Sequence, residues 1–273
     1  MRNAITLKFS KMHACGNDYV YFVNPFKSDE QLKNFAVFAS DRHKGIGSDG
    51  IITLSRSDTA DVKTRMFNAD GSEGSICGNG VRCAALFATK YTGVAKNVVN
   101  IETNAGIVEV KLDKAEKNRA HATAAMPAPK TYIDSEKLAR VMRENGFSVS
   151  ACDVFAINAG NEHLVVTDGE LSAAQISEIA DESGLFTHGV NVEKCVATKD
   201  GVYAEVYERG SGYTLSCGSG AVAIAYAFYL KDGSPARTIT TDGGTLSVRL
   251  TQKAAYLSGE VAEIYHGEID LEL

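Results

Sequence analysis

Two cysteines with matching surroundings offer the clearest chemistry in the sequence. Cys77 and Cys217 each begin a Cys-Gly-x-Gly motif, which follows a polar loop with glycines and opens an apolar, alanine-rich run. The run predicts a buried helix, and a helix start leaves about four N–H groups without partners and carries about half a positive charge. A thiol there shifts toward its thiolate, and glycines let an anion approach the amides. Each motif therefore predicts a reactive thiol and a cradle for a carboxylate or phosphate.

The two motifs belong to a repeat that runs along the chain. For one motif alone the alternative is a buried small residue beside a tight turn, because free cysteine is among the most buried residue types. Four segments recur in the same order, 138 to 144 positions later: Phe67–Phe87 as Tyr207–Ala227, Gly16–Tyr19 as Gly160–His163, Gly45–Asp49 as Gly189–Glu193, and Thr103–Val108 as Thr241–Leu246. Such self-similarity predicts one ancestral unit used twice. We expect the two halves to face each other across a cleft, each presenting one motif.

Hydrophobic periodicity supplies the elements that position the motifs. It predicts a strand, turn and strand over residues 5–23, helices over 28–40, 134–145 and 171–183, strands over 61–67 and 202–207, and a hairpin over 98–112. The segment Gly45–Gly50 spells G-x-G-x-x-G, but it follows a helix and leads into a β-like run, so it predicts a glycine turn rather than a dinucleotide site. Residues 114–129 are the expected passage between the halves.

Composition limits the classes of function. The chain has 273 residues, 44% of them hydrophobic and 23% charged, which is typical of a soluble globular protein of two domains. A net charge of −6 without a basic stripe argues against a nucleic-acid partner. The sequence offers no apolar signal-peptide core and no run of about 20 apolar residues, so the expected location is the cytoplasm, away from membranes. Without a C-x-x-C pair or histidines at zinc-ligand spacing, we expect six thiols and no metal.

Polar residues in the echoed loops are further candidates. Asn17 is predicted at a loop tip, where its role can be only to stabilise the turn. Asn161 is the equivalent residue in the second copy of the repeat. His163 follows Asn161, although a lone histidine before a strand is commonly structural. Glu208 and Arg209 precede the Cys217 motif, where they can be a solvated pair or offer a carboxylate and a guanidinium to a ligand.

Together these groups suit acid–base chemistry at the α-carbon of an amino acid. Helix amides would hold the carboxylate, a carboxylate side chain would hold the ammonium, and two thiols would face the α-carbon from opposite sides. If one thiolate removes the α-proton and the opposite thiol returns one, the configuration inverts. The charge of the intermediate spreads onto the carboxylate, where the amides stabilise it. By context, His163 and Glu208 are the nearest groups that could help ionise a thiol.

Seven segments, taken in order, resemble motifs of the diaminopimelate epimerase family: KMHACGNDYVYF, DRHKGIGSDGII, MFNADGSEGSICGNGVRC, AGNEH, GVNVE, YERGSGYTLSCGSGA and DGGTLSV. The resemblance implies a cofactor-independent enzyme that interconverts LL- and meso-diaminopimelate in lysine and peptidoglycan-precursor synthesis, commonly as a homodimer. It implies that Cys77 and Cys217 are the acid/base thiols, that His163 assists Cys77 and that Glu208 assists Cys217. The residues it implies for substrate binding are Asn17, Asn68, Gly78, Asn79, Asn161, Asn191, Arg209, Gly218 and Ser219.

The resemblance also implies the fold. It is an α+β fold of two pseudo-symmetric halves, each a curved, mostly antiparallel, barrel-like sheet around a central helix, with the active site in the cleft between the halves. We assign residues 1–122 to the N-terminal half, which a C-terminal strand over 264–273 completes, and residues 123–263 to the C-terminal half.

Three positions depart from the family pattern and bear on the substrate. Glu162 replaces the proline of Gly-Asn-Pro-His, Tyr213 replaces the second glutamate of Glu-Arg-Gly-x-Gly-Glu-Thr, and Gly50 stands where many members carry glutamine. One alternative is therefore a related cofactor-independent racemase acting on another amino acid. Others are a non-catalytic amino-acid-binding protein, which would need only the amides, and a redox-sensing dithiol protein. A pyridoxal enzyme would need a Schiff-base lysine, for which the sequence has no motif.

Overall fold

The chain forms two compact units. The structure, a computed structural model, describes residues 4–74 and 76–272. Unit 1 contains the chain up to Ala124 together with the C-terminal segment from Gly259, and unit 2 contains Ala125–Ser258. Both points of passage between units lie within strands.

Unit 1 is built from a ring of strands and two helices. Its elements are β1 (Ala4–Ala14), β2 (Asn17–Val23), α1 (Asp29–Ser40), β3 (Gly50–Ser55), β4 (Val62–Asn68), β5 (Glu73–Gly74), α2 (Gly78–Tyr91), β6 (Val98–Thr103), β7 (Gly106–Asp113) and the beginning of β8 (Arg119–Pro127), together with the C-terminal part of β17 (Ala254–Glu272). Among the described residues, eight strands pair in the order β17-β1-β2-β3-β4-β6-β7-β8, and the pairing of β8 with β17 closes the ring. The pairs β2–β3 and β4–β6 are parallel, and the other pairs with a described register are antiparallel.

Unit 2 repeats this topology. Its elements are the end of β8, β9 (Lys130–Ile133), α3 (Ser135–Glu144), β10 (Val154–Asn158), β11 (Glu162–Val166), α4 (Ala173–Glu182), β12 (Asn191–Thr198), β13 (Gly201–Glu208), β14 (Gly212–Thr214), α5 (Gly218–Asp232), β15 (Ala236–Thr241), β16 (Gly244–Leu250) and the beginning of β17. The strands pair in the order β9-β10-β11-β12-β13-β15-β16-β17, and the parallel pairs are β11–β12 and β13–β15. The parallel pairs occupy the same places as in unit 1, so the duplication and the α+β fold class are confirmed.

One helix in each unit is buried along most of its length. In α2 every residue from Gly78 to Ala88 is buried, and in α5 most residues from Gly218 to Phe228 are. An all-round apolar helix is stable only when protein surrounds it. Strands β1, β2, β3, β6 and β7 contact α2, and β10, β11, β12, β15 and β16 contact α5. The sheets therefore hold both Cys-Gly-x-Gly motifs at fixed positions.

The other helices are amphipathic and cover the sheets with one face. In unit 1, α1 buries Leu32, Phe35 and Ala36 in an apolar cluster that includes Phe22 and Phe67 from the strands. In unit 2, α3 and α4 pack on the strands in the same way; their buried apolar residues are Leu138, Ala139, Met142, Ala173, Ile176 and Ala180. Serine or aspartate caps each of these helices.

Most predicted elements are present, and the last strand differs in where it begins. The Gly45–Gly50 segment is a turn that leads into β3, which confirms the prediction against a dinucleotide fingerprint. The boundary between the units lies within residues 114–129, and much of this passage is strand β8, whose alternating buried alanines pack in the sheet. The last strand begins at Ala254 rather than 264, and Leu273 lies outside the described residues. In the described part of the chain, no helix is long and apolar enough to span a membrane.

Candidate active site

Both motif cysteines cap the buried helices. Cys77 precedes α2 with extended backbone, and its Sγ accepts a hydrogen bond from the N–H of Gly80 at 3.2 Å. Cys217 precedes α5 in the same conformation, and its Sγ accepts from Gly220 at 3.4 Å. The prediction that each motif opens a helix is confirmed. A thiolate at either position would receive this N–H and the positive end of the helix dipole.

The second glycine of each motif lies against a side chain of the sheet. A Cβ on Gly80 would lie 2.5 Å from Cδ1 of Ile52, and a Cβ on Gly220 would lie 2.3 Å from Oε1 of Glu193. The second glycine of each motif thus lets the helix start approach a side chain of the central sheet. In unit 1 that side chain is apolar, and in unit 2 it is a carboxylate.

A polar network holds Asn17 against Cys77. The Cys77 thiol, which is half-buried, donates to Asn17 Oδ1 at 3.3 Å, and Asn17 Nδ2 donates to Asp49 Oδ2 at 3.0 Å. Arg42 bridges Asp49 and Asp18, each at 2.9 Å. Burial alone would raise the pKa of Asp18, but the bonds from Arg42 and from the buried Lys11 outweigh it and lower that pKa. The ionised network fixes the Asn17 amide with its oxygen toward the thiol.

A buried arginine stabilises the first turn of α2. Arg82 is fully buried, and it donates to Asn79 Oδ1 at 2.6 Å and to the Gly78 carbonyl at 3.2 Å. Burial lowers its pKa, whereas the thiols of Cys83, Cys15 and Cys77 raise it. The guanidinium is therefore close enough to these thiols to favour their ionised forms. Burial nevertheless raises the pKa of Cys83 to about 12, so Cys83 remains a neutral packing residue.

Cys217 lies among negative charges. It is buried, and burial raises its pKa well above the ordinary value, an effect that Glu208 and Glu193 increase. Glu208 accepts a hydrogen bond from Thr214 Oγ1 at 2.6 Å and contacts the Cys217 thiol. Burial also raises the pKa of Glu208. These surroundings favour the neutral thiol at Cys217, in contrast to those of Cys77.

His163 lies in unit 2 beside Cys217. Its Nε2 is 3.0 Å from Ser219 Oγ, which in turn is 3.4 Å from Cys217 Sγ, and its Nδ1 is 2.7 Å from Glu193 Oε1. The side chains of His163 and Glu193 have no exposed surface. The expectation that His163 assists Cys77 remains a prediction.

Glu193 is the polar residue that sequence reasoning missed. It belongs to a repeated segment, but the sequence repeat aligns it with Asp49. In the structure Tyr19 pairs with Gly50 and His163 pairs with Asn191, so strand register makes Ile52 the equivalent of Glu193. The available signal was its place in a repeated segment, two positions after the candidate Asn191.

One group of side chains has metal-ligand character within the described residues. The ligand atoms of His163, Glu193 and Cys217 lie within 4.8 Å of one another. Both imidazole nitrogens already have hydrogen-bond partners, Glu193 on one side and Ser219 on the other. This arrangement suits proton transfer better than coordination.

The remaining predicted binding residues lie at the ends of strands. Asn68 ends β4 and donates to Ser72 Oγ at 2.9 Å, and Asn161 is exposed in the turn between β10 and β11. Asn191 begins β12, and its Oδ1 accepts from the Arg209 N–H at 3.0 Å. The Arg209 guanidinium donates to the carbonyl of His188 at 2.9 Å. Unit 2 therefore brings Asn191 and Arg209 together.

The structure shows what surrounds two of the residues that depart from the family pattern, Gly50 and Tyr213. A Cβ on Gly50 would lie 2.2 Å from the Phe67 carbonyl, so the backbone of this chain leaves no room for a glutamine there. Tyr213 is 57% exposed and packs edge-on against Tyr207. The glutamate of the family pattern would lose this ring contact.

The fold and the paired cysteines define a duplicated α+β protein in which each unit presents a thiol at the start of a buried helix. A solved structure of a phenazine biosynthesis protein of the PhzF family from Bacillus anthracis has the same fold: the TM-score is 0.70 over 97% of this chain and 99% of that chain, at 16% identity. The family model for diaminopimelate epimerase matches residues 9–130 and 155–264. This chain therefore belongs to the diaminopimelate epimerase family.

Curated relatives agree with the family assignment. A diaminopimelate epimerase from Methanococcus maripaludis is 35% identical over 97% of this chain and all of its own length. Another from Desulfovibrio desulfuricans is 34% identical over 97% of this chain and 99% of its own length. The residues that the family model matches include both cysteine motifs.

Proposed function

We propose that the protein is a pyridoxal-independent epimerase that interconverts LL- and meso-diaminopimelate by proton transfer at one α-carbon. The observation that carries the proposal is the pair of thiols, Cys77 and Cys217, which cap equivalent buried helices. Family membership and the diaminopimelate epimerases similar over the full chain support the substrate. By the same resemblance, the protein acts as a cytoplasmic homodimer without a cofactor.

In this mechanism the substrate carboxylate binds at the helix starts. The N–H groups of Gly78 and Asn79, and those of Gly218 and Ser219, belong to first turns, where donors without helical partners meet the positive end of the dipole. When the α-proton leaves, negative charge moves onto the carboxylate. Preorganised N–H donors then stabilise the intermediate more than the ground state, which lowers the barrier.

The two thiols take opposite roles. Arg82 favours a thiolate at Cys77, whereas burial and the charges of Glu208 and Glu193 favour a neutral thiol at Cys217. Cys77 therefore removes the proton from the LL isomer, and Cys217 donates one to the opposite face. The electrons of the broken C–H bond are delocalised over the α-carbon and the carboxylate until the S–H proton of Cys217 forms the new C–H bond, and the proton removed stays on Cys77. The reverse reaction starts from the thiol at Cys77 and the thiolate at Cys217.

The distal end of the substrate is itself an amino-acid head and needs its own charged partners. Asn68, Asn161, Asn191 and Arg209 are the proposed residues. The Arg209 guanidinium would bind the distal carboxylate, and the asparagine side chains would select its L configuration. A racemase for another amino acid would not require this set.

Proton NMR in D₂O tests the function and the substrate together. Purified protein without added pyridoxal phosphate would be offered LL-diaminopimelate, L-lysine, L-glutamate and L-histidine in parallel. We expect loss of the α-proton signal and formation of the meso isomer with diaminopimelate alone. Exchange only with another amino acid would contradict the substrate, and no exchange with any would favour a binding protein.

A further inference from the structure

A chain of hydrogen bonds leads away from the Cys217 thiol into the interior of unit 2. It runs from Cys217 Sγ to Ser219 Oγ (3.4 Å), from Ser219 Oγ to His163 Nε2 (3.0 Å), and from His163 Nδ1 to Glu193 Oε1 (2.7 Å). All four residues are buried. Each link joins groups that can donate or accept a proton, so the chain is continuous.

The carboxylate at the far end sets the direction of every bond. An ionised carboxylate only accepts hydrogen bonds, so His163 Nδ1 must carry the hydrogen that Glu193 receives. His163 Nε2 is then the acceptor for the Ser219 hydroxyl, and the Ser219 oxygen is free to accept the Cys217 S–H, for which Glu208 is the competing acceptor. Glu193 therefore selects the tautomer that can take up a proton from the side of Cys217.

We infer that Glu193 and Ser219 are positioning residues of a buried proton relay that connects the Cys217 thiol to His163. When the relay operates, the Cys217 S–H bond breaks as an O–H bond forms on Ser219, while the original Ser219 proton moves to His163 Nε2. The products are a thiolate and an imidazolium, and Glu193 stabilises the imidazolium. This inference rests on the proposed epimerase function and explains how a thiol in unfavourable surroundings becomes a base in the reverse reaction.

The environment of Glu193 fits this task. Among the described residues its Oε2 has no hydrogen-bond partner, so its bond to His163 is the one that orients the carboxylate. A buried charge without full compensation costs free energy. For packing alone, an apolar side chain at this position would be more favourable than a buried carboxylate. Unit 1 has an apolar side chain at the equivalent position, Ile52.

Unit 1 has no equivalent relay in its described residues. Strand register and the repeat place Tyr19 where His163 stands and Ile52 where Glu193 stands, and Asn79 corresponds to Ser219. Asn79 accepts a hydrogen bond from Arg82 instead. The relay is therefore specific to Cys217, whose surroundings oppose ionisation.

Removing the Glu193 charge affects the ionisation of the Cys217 thiol in two ways, and the two effects are opposite. Through space, the carboxylate opposes the thiolate, so its removal alone would increase ionisation. Through the relay, it stabilises the imidazolium that accompanies the thiolate, so its removal would decrease ionisation. The other titratable groups near Glu193 and Cys217 are Glu208 on β13, Cys195 on β12 and Tyr132 on β9, and all remain in a Glu193 variant.

The test is the pH dependence of Cys217 alkylation by iodoacetamide, measured by peptide mass spectrometry on the whole protein. Each rate is divided by the rate at the alkaline plateau, so that reagent access cancels. We expect Glu193→Gln to lower the relative rate at pH 7 by about tenfold, because the neutral glutamine no longer stabilises the imidazolium that accompanies the thiolate. A relative rate equal to or above that of the wild type would overturn the relay.

Two further variants complete the experiment. Glu205→Gln removes another carboxylate of unit 2, one that accepts from the Ala173 N–H, and should leave the rate unchanged. If Glu193→Gln does not fold, Glu193→Asp keeps the charge but shortens the side chain. The relay predicts slower alkylation for it, and unchanged alkylation would contradict the relay. Because no substrate is present, these results are independent of whether the protein epimerises diaminopimelate.

Discussion

At the scale of single residues, the two thiols have the same position but different surroundings. Both accept an N–H bond at a helix start, yet Cys77 is near a buried guanidinium and an amide oxygen, and Cys217 is near two carboxylates. An enzyme that moves protons between two faces needs one thiolate and one thiol at a time. The different charges provide this asymmetry.

Substitution of either thiol should separate catalysis from helix capping. Cys77→Ser and Cys77→Ala should each reduce epimerisation by about 10²- to 10⁴-fold, because neither supplies a thiolate near neutral pH. The serine still accepts the Gly80 N–H, so urea unfolding should show it about 1 kcal/mol more stable than the alanine variant. Cys217→Ser and Cys217→Ala should behave in the same way. Near wild-type inversion by any of the four would contradict the two-thiol mechanism.

Glu208→Gln should lose activity and gain stability at neutral pH. Because burial raises the pKa of Glu208, the folded protein binds this proton more tightly than the unfolded chain does. Wild-type stability therefore falls as pH rises from the unfolded value of about 4.3 through the folded value. The glutamine variant avoids this loss and keeps an acceptor for Thr214. Urea unfolding should show a larger free energy of unfolding for the variant than for the wild type at pH 7.5, and little difference at pH 4. A variant that is less stable than the wild type at pH 7.5 would contradict destabilisation by the buried Glu208 carboxylate.

At the scale of elements, the sequence predicted what depends on local signals. The helix starts at Cys77 and Cys217, the three amphipathic helices and the Gly45–Gly50 turn follow from glycine and periodicity. The bond between Glu193 and His163 was not predictable, because it depends on the register of β11 against β12. The first part of β17 was missed because nothing in its sequence indicates that β16 and β8 are its neighbours.

The helix-start glycines should differ in their tolerance of alanine. Gly80→Ala meets the flexible end of Ile52 and should cost about 1–3 kcal/mol of stability, most of which Ile52→Val should restore by removing Cδ1. Gly220→Ala meets the buried carboxylate of Glu193 and should reduce kcat/KM as well. Urea unfolding and kinetics of the three variants and the double variant check this. Equal effects of both alanines on kcat/KM would contradict the role given to Glu193.

At the scale of the whole molecule, the chain uses one topology twice and returns at its end to complete unit 1. Strand β17 pairs with β1 from Ala4↔Glu272 to His13↔Ala262, and it also pairs with β8. Removal of residues 259–273 would leave β1 and β8 as edges of an open sheet and uncover apolar residues such as Leu7 and Phe9. The C-terminal segment is thus a structural part of the unit that carries Cys77.

The truncated chain should lose unit 1 and keep unit 2. Hydrogen exchange should show unprotected amides in β1 and α2 but protected amides in α5, whose strand neighbours remain. A peptide of residues 259–273 supplied in excess should restore part of the protection in β1. Persistent protection of β1 in the truncated chain without the peptide would contradict the closed ring.

The central claim is that two thiols exchange the α-proton from opposite faces, and the isotope content of the first product tests it most directly. LL-diaminopimelate with protium at both α-carbons would be converted in D₂O, and the reaction stopped after a few per cent of turnover. Two bases predict meso product with one deuterium at the inverted carbon, while the remaining substrate keeps its protium. Product that retains the substrate's own proton, or substrate that gains deuterium as fast as product forms, would show a single base and contradict the account.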